Sequence, residues 1–313
     1  MSPGMRKSRI AGPAIALVAS AAALSGYLLP GEYILEKVSV HTQSVRGIYV
    51  KQKVILYLPR VYGSEASPPA RDAQKEQNPG KIGLPDQGVP PDGMSAEALI
   101  EGASGEQEYC KWIRDSELFM EAPDRVRIRI FGKAELDPPD CPCTPPRTED
   151  QELLQAGGRA VIIKKNSVEP VTDRRKWLFA NFMIGMQPEK LKKEMQYFGV
   201  SLESVRLALL GEKVAYVLGA DGEGNAHVWL DKDSFLPLCI SFAGNEDQAL
   251  HVDLVDYKYL GNEGVWYPAR IDFFEGEARD ETYEMISTVV NPRFPGGTFN
   301  AKKIQASLQK PSP

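Results

Sequence analysis

The sequence predicts an α+β protein built mainly from one antiparallel β-sheet. Between residues 204 and 292, short apolar runs follow one another with brief, turn-rich connections, which is typical of neighbouring antiparallel strands. Only two stretches, residues 31–43 and 188–198, have apolar residues at the spacing of an amphipathic helix. We therefore expect a single sheet with a few helices packed on it.

Residues 1–26 have the pattern of a secretory signal peptide. Arg6, Lys7 and Arg9 precede an apolar run over residues 10–24, and small residues at its end, over 19–25, provide cleavage sites. The run of about fifteen residues is shorter than the roughly twenty that a membrane span needs, and an uncleaved inner-membrane anchor is the alternative. We expect export to the periplasm and a single domain over residues 27–300.

The first half of this domain alternates between ordered elements and insertions. The helix over residues 31–43 is followed by an extended run over 45–58, and residues 116–131 form the clearest strand pair. In the second of these strands Val126, Ile128 and Ile130 share one face and three arginines share the other, where cross-strand acids would pair with them. Residues 62–107 are rich in Pro, Gly and charge and contain no aromatic after Tyr62, so we expect a disordered insertion.

The second half begins after an irregular loop predicted over residues 134–156. A strand over 157–165, an apolar segment over 173–191 and the helix over 188–198 come next. The remaining strands are expected over residues 205–210, 213–218, 226–230, 236–242, 250–260, 265–274 and 282–290. Residues 301–313 are expected to be a polar tail.

Composition excludes some functions. The net charge of -5 and the pI near 5.5 provide no basic surface for nucleic acid, so we expect no nucleic-acid partner. In an oxidising compartment the four cysteines favour at least one disulfide. Cys141 and Cys143 would close a strained ring with each other, so one of them is expected to pair with Cys110.

Residues that perform chemistry are scarce. A hydrolase of the Ser-His-acid type would need His227 or His251 beside a nucleophile and an acid. Alternation places Leu236, Leu238, Ile240 and Phe242 on the core face and Cys239 on the other face. His251, Asp253 and also His227 would share that second face, and such a set suits zinc only if the strand register holds.

We expect that face to be solvated. The sequence therefore predicts no catalytic site, no metal and no cofactor. Asp231 and Asp233 flank a turn and are expected to bond its backbone rather than act as acid and base.

Four stretches resemble the outer-membrane lipoprotein-sorting (LolA/LolB-like) family: residues 118–130, 211–219, 228–237 and 265–271. The resemblance implies a curved antiparallel sheet, an unclosed β-barrel covered by a few helices, that encloses an apolar cavity. It also implies a non-enzymatic carrier for lipids or lipoproteins, acting as a chaperone in outer-membrane biogenesis.

The cavity wall would consist of apolar residues on the core face of the strands and on the covering segment: Val126, Ile128, Ile130, Trp177, Phe179, Phe182, Tyr216, Leu238, Ile240, Ile271 and Phe273. The expected partners are acyl chains and an inner- or outer-membrane protein that receives them, and the chain is expected to be a monomer. The alternative is an envelope sensor or scaffold that uses the same sheet to bind a protein.

Overall fold

The computed structural model describes residues 28–59, 109–139, 141, 150–222, 224–242, 249–261 and 264–309. The predicted signal peptide 1–26, the predicted insertion 62–107 and Cys143 lie outside these residues. The described part of the chain forms thirteen strands and four α-helices.

All thirteen strands belong to one antiparallel sheet, in the order β6-β5-β4-β3-β2-β1-β13-β12-β11-β10-β9-β8-β7. Two meanders are joined where β1 pairs with β13, and β6 and β7 are left as the two edges, so the sheet is not closed. The predicted fold class is confirmed. The strands are β1 Gly47–Pro59, β2 Tyr109–Glu121, β3 Arg125–Asp137, β4 Gln151–Ala156, β5 Arg159–Ile163, β6 Val168–Pro170, β7 Val205–Leu210, β8 Lys213–Leu218, β9 His227–Asp231, β10 Pro237–Phe242, β11 Leu250–Tyr259, β12 Trp266–Glu275 and β13 Ala278–Val290.

The helices are α1 Gly31–Thr42, α2 Leu178–Asn181, α3 Pro188–Tyr197 and α4 Ala301–Leu308, with a 3-10 turn at Arg175–Trp177 ahead of α2. Helices α1 and α3 bury apolar residues at helical spacing, including Ile34 and Val38 of α1 and Leu191 and Met195 of α3. Within the described ranges, no helix is long and apolar enough to cross a membrane.

The alternation in β3 is as predicted. Val126, Ile128 and Ile130 are buried in the core, while the three arginines lie on the other face beside acids. Arg125 contacts Glu121, Arg129 contacts Glu117, and Arg127 contacts the buried Glu152 of β4. Pairing with neighbouring acids therefore accounts for the arginine row.

The sheet curves around its core. Strands β3 and β10 are six positions apart in the sheet, which is roughly 29 Å on a flat sheet at about 4.8 Å per strand. Helix α3 has ten residues and is about 15 Å long, yet Lys190 lies 3.1 Å from Asp124 beside β3. Phe198, directly after α3, packs on Phe242 of β10 with ring centroids 5.3 Å apart. Helix α3 therefore spans the core between these two strands.

Two boundaries differ from the prediction. The loop expected over residues 134–156 is strand at both ends, because β3 continues to Asp137 and β4 begins at Gln151, where it pairs with both β3 and β5. The tail expected over residues 301–313 contains helix α4, whose first turn is capped by Asn300. Ile304 of α4 is buried against Leu154 and Ile163, so this helix packs on the sheet.

Candidate functional site

Ten of the eleven residues predicted to contact acyl chains lie in the main hydrophobic core, which one face of the sheet and helices α1 to α3 share. These ten are Val126, Ile128, Ile130, Trp177, Phe179, Phe182, Tyr216, Ile240, Ile271 and Phe273. Leu238 differs: it is buried but belongs to neither core cluster, because the β9–β10 pairing is interrupted by a bulge between Pro237 and Cys239.

A short segment, residues 175–186, covers the sheet at this core. The ring of Phe179 meets that of Phe273 edge to face at 6.0 Å, and Phe273 in turn meets Tyr283 at 5.2 Å. Helix α2 within the segment has only four residues. So short a helix is not stable by itself, and side-chain packing keeps the segment in place.

Close backbone packing ties the end of this covering segment to the region between α1 and β1. The Gly185 amide donates a hydrogen bond to the Val45 carbonyl at 2.8 Å. A side chain at Gly185 would place its Cβ 2.9 Å from the Thr42 carbonyl oxygen. Only glycine allows this approach.

Two polar atoms lie buried within the apolar region. The Tyr267 hydroxyl on β12 and Asn181 Oδ1 on α2 have no hydrogen-bond partner among the described residues. Burial raises the pKa of Tyr267, so its hydroxyl stays protonated and keeps a hydrogen to donate. Both atoms retain unused hydrogen-bonding capacity inside the core.

Two surface cavities lie outside this region. One, of about 580 Å³, lies between α1 and α3 and is lined by Tyr33, Leu35 and Lys192 among others. The second, of about 440 Å³, lies beside Leu28 and Leu202. Neither is lined by a residue of the predicted acyl-chain set, which packs as core.

The opposite face of the sheet, which we call the outer face, brings together four polar side chains on β10 and β11. Cys239 pairs with Asp253, and Ser241 pairs with His251. His251 bridges its neighbours: Nδ1 lies 2.9 Å from Ser241 Oγ and Nε2 lies 2.7 Å from Asp253 Oδ1. The predicted grouping of Cys239, His251 and Asp253 on one face is therefore present, but Cys239 is 1% exposed rather than solvated.

His251 is held by charge and hydrogen bonds. Burial lowers the pKa of His251, but its hydrogen bonds with Asp253 and Cys239 outweigh burial and raise the pKa to about 10. His227, which lies on β9 opposite Ser241, behaves differently: burial and the nearby Arg206 lower its pKa. The pKa values of the two histidines are therefore shifted in opposite directions.

The sequence prediction omitted Ser241 from this group. Alternation alone could have identified it, because a residue two positions after Cys239 must share its face. What alternation could not provide was the pairing of Ser241 with His251, which depends on the loop between β10 and β11.

Asp231 and Asp233 are turn residues, as predicted. Asp231 Oδ1 accepts hydrogen bonds from the Ser234 amide at 2.8 Å and from the Asp233 amide at 3.1 Å. Asp233 is exposed. The Asp231 carboxylate is therefore committed to backbone bonding, and Asp233 takes part through its amide.

Cys110 at the start of β2 forms a disulfide with Cys141, which follows β3, with Cα atoms 6.0 Å apart. Cys239 is buried and is the free cysteine within the described residues.

Comparisons with known proteins give structural similarities only. No protein-family model and no curated protein matches the chain. An outer membrane lipoprotein-sorting protein domain from Vibrio parahaemolyticus is 11% identical, with a TM-score of 0.46, over 88% of this chain and 97% of that one. A LolA superfamily protein from Nitrosomonas europaea is also 11% identical, with a TM-score of 0.46, over 87% of this chain and 98% of that one. At this identity a shared function does not follow.

Proposed function

We propose that this chain is a periplasmic carrier that holds the acyl chains of a lipid or lipoprotein and catalyses no reaction. The observation that supports it is the single apolar core enclosed between one face of an open, curved sheet and the short aromatic segment 175–186. The sequence resemblance to lipoprotein-sorting proteins indicates the same kind of cargo.

Acyl binding would exchange one set of apolar contacts for another. Each buried methylene contributes about 0.8 kcal/mol of binding free energy, so part of one acyl chain suffices for useful but reversible binding. The acyl chain would enter where Phe179 packs on Phe273, because the ring contacts made there can be exchanged for contacts with an acyl chain. The segment would then close over the bound chain.

The buried polar atoms suit the linkage at the head of an acyl chain. The Tyr267 hydroxyl can donate to an ester or amide carbonyl, and Asn181 Oδ1 can accept from an amide N–H. Supplying these partners removes the cost of leaving the groups unsatisfied.

Export to an oxidising compartment is part of the proposal. The signal-like residues 1–26 indicate it, and the Cys110–Cys141 disulfide is of a kind that persists in such compartments.

A hydrolytic role receives less support. The Ser241–His251–Asp253 contacts have the order that a hydrolase needs, but they lie on the outer face. The sheet itself separates them from the apolar core, so they cannot act on acyl chains held there.

The test uses acyl chains that carry bromine, which quench tryptophan fluorescence on contact. Trp177 lies in the covering segment, and Trp266 is 43% exposed on β12. We expect brominated fatty acid to quench the parent protein, and we expect Trp177→Phe to remove most of that quenching. The matched control Trp266→Phe should keep it. No quenching, or equal quenching in the two variants, would rule out binding beneath the segment.

A second candidate is the protein-binding scaffold, and the edge strand β7 favours it. Leu207 is 39% exposed and Leu209 is 62% exposed on this strand, and an uncovered edge can pair with a strand of another protein. In this case Leu209→Lys should abolish capture of an envelope protein and leave bromine quenching unchanged. If the envelope protein is still captured by Leu209→Lys, strand β7 is excluded as the binding surface.

A further inference from the structure

We propose that Cys239, His251 and Asp253 form a zinc site on the outer face of the sheet, with Ser241 orienting the histidine. The proposal is independent of the acyl-carrier function, because the site and the apolar core lie on opposite faces. It differs from the sequence expectation, which assigned no metal to this chain.

Strand pairing creates the site. Cys239 and Asp253 are direct cross-strand partners on β10 and β11, and His251 is two residues from Asp253 on the same face. The side chains of Cys239, Ser241, His251 and Asp253 therefore form a square on two adjacent strands that pair from Cys239 to Phe242. Ligands on such rigid elements are positioned before the metal arrives.

The distances fit a small metal ion. One ligand atom from each of the three residues lies within 4.8 Å of the others. Around tetrahedral zinc with bonds of about 2.0–2.3 Å, neighbouring ligand atoms are about 3.3–3.6 Å apart. Cys239 Sγ already lies 3.6 Å from His251 Nε2, and it lies 3.5 Å from Nδ1. Asp253 Oδ1, now 2.7 Å from Nε2, must move away by roughly 0.6 Å to reach that separation, which a side-chain rotation provides.

Ser241 decides which ring nitrogen binds. Its Oγ lies 2.9 Å from His251 Nδ1, so Nδ1–H can donate to it and leave Nε2 as the metal ligand. A histidine that binds metal commonly donates its other nitrogen in this way, and the loss of such a partner weakens metal binding about 10–100-fold. The Nε2 proton of His251 and the proton of the Cys239 thiol would leave to solvent when the metal binds, while Nδ1 keeps its hydrogen.

Charge and exposure also fit. A thiolate and a carboxylate provide two negative charges, which balance a divalent cation. Asp272, the cross-strand partner of Asp253, is committed elsewhere through Thr282 at 2.6 Å and Arg270 at 3.0 Å. Cys239 is buried, whereas the His251 and Asp253 side chains are 38% and 35% exposed, so a metal can enter from solvent. Three protein ligands leave the fourth position open.

The test is titration of the metal-free, full-length protein with Co²⁺ and then Zn²⁺. A Cys143→Ser background leaves Cys239 as the free thiol. We expect the near-ultraviolet absorption band of a cobalt–thiolate bond and the visible bands of tetrahedral cobalt, saturating at one ion per chain. Zn²⁺ should displace Co²⁺ and raise the melting temperature.

Single substitutions distinguish the proposed zinc ligands from neighbouring residues. Cys239→Ser should abolish the cobalt–thiolate band, Asp253→Asn should weaken binding but keep the band, and Ser241→Ala should weaken binding about 10–100-fold. The matched control His227→Gln, on the same face one strand away, should bind like the parent. Circular dichroism verifies that each variant is folded.

Two results would overturn the proposal. One is the absence of a thiolate band in the folded parent. The other is zinc binding that is unchanged in Cys239→Ser. Labelling of Ser241 by a fluorophosphonate in a protein that binds no zinc would likewise overturn it and would assign the cluster to nucleophilic chemistry.

Discussion

Single polar residues in this protein act through the backbone and through neighbouring strands. Asp231 ends β9 and organises the turn to β10 through the amides of Asp233 and Ser234. Glu152, which is 1% exposed, lies between Arg127 and Arg129 on β3. Both acids were visible in the sequence, but only Asp231 could be assigned a role there, because its partners are local.

The Asp231→Ala substitution should lower the free energy of unfolding by about 1–2 kcal/mol, because two backbone amides lose a charged acceptor. Burial alone would raise the pKa of Asp231, but the hydrogen bonds from Ser234 and Asp233 outweigh it and keep the pKa below its ordinary value of 3.8. The stabilisation is therefore complete above that value and is lost as the pH falls through the folded-state pKa.

Urea unfolding at several pH values measures this effect. The difference between parent and Asp231→Ala should shrink as the pH falls below about 4. Asp233→Ala, at an exposed position of the same turn, is the control and should stay within about 0.5 kcal/mol of the parent. A difference that does not depend on pH would show that the carboxylate charge has no part in it.

Glu152→Gln should cost about 3 kcal/mol in unfolding free energy, because it leaves the largely buried Arg127 without its opposite charge. The comparison is Glu121→Gln. That substitution breaks the exposed pair with Arg125 and should cost less than about 1 kcal/mol. Chemical denaturation of both variants measures the two costs, and equal losses would contradict the role of burial.

At the scale of elements, short segments depend on what they pack against. Helix α4 has eight residues, and the Asn300 side chain caps it by accepting a hydrogen bond from the Lys303 amide. Its position on the sheet nevertheless depends on Ile304, which packs against Leu154 and Ile163. The covering segment 175–186 similarly depends on the sheet beneath it. Isolated segments of this length are not stable in water, so their structure depends on packing. For this reason the sequence predicted only a polar tail where α4 lies and only an apolar stretch where the covering segment lies.

Ile304→Ala should release α4 and cost about 2 kcal/mol, since it removes the buried side chain that joins the helix to β4 and β5. Hydrogen exchange of the α4 amides and urea unfolding measure the two effects. Lys302→Ala, on the exposed side of the same helix, should change neither by more than about 0.5 kcal/mol. Protection of α4 that persists in Ile304→Ala would show that other contacts hold the helix.

For the whole molecule, the arrangement of strands predicts where the sheet opens first. Strand β1 pairs along most of its length with β2 and β13, and β1 and β2 carry five of the twelve largest fully buried side chains. Strand β6 has three exposed residues at one edge, and β7 forms the other edge. The free energy needed to open backbone hydrogen bonds should therefore be greatest at the centre.

Native-state hydrogen exchange tests this gradient. Amides of β1 and β13 should exchange most slowly, near the rate set by global unfolding, and amides of β6 and β7 should exchange fastest. Added fatty acid should slow exchange in residues 175–186 if acyl chains bind beneath them. Edge strands that exchange as slowly as β1 would indicate that another surface covers them.

The sequence by itself determined the fold class, most of the strands, the two main helices and the faces of the side chains. These follow from local periodicity, which depends only on the side chains within each element. The tertiary structure decided the rest: the bulge that displaces Leu238 from the core, the packing of α4, and the meeting of Ser241 with His251. Each of these depends on strand register or on contact between segments that are distant in the chain. A local sequence pattern does not specify which distant residues it will contact.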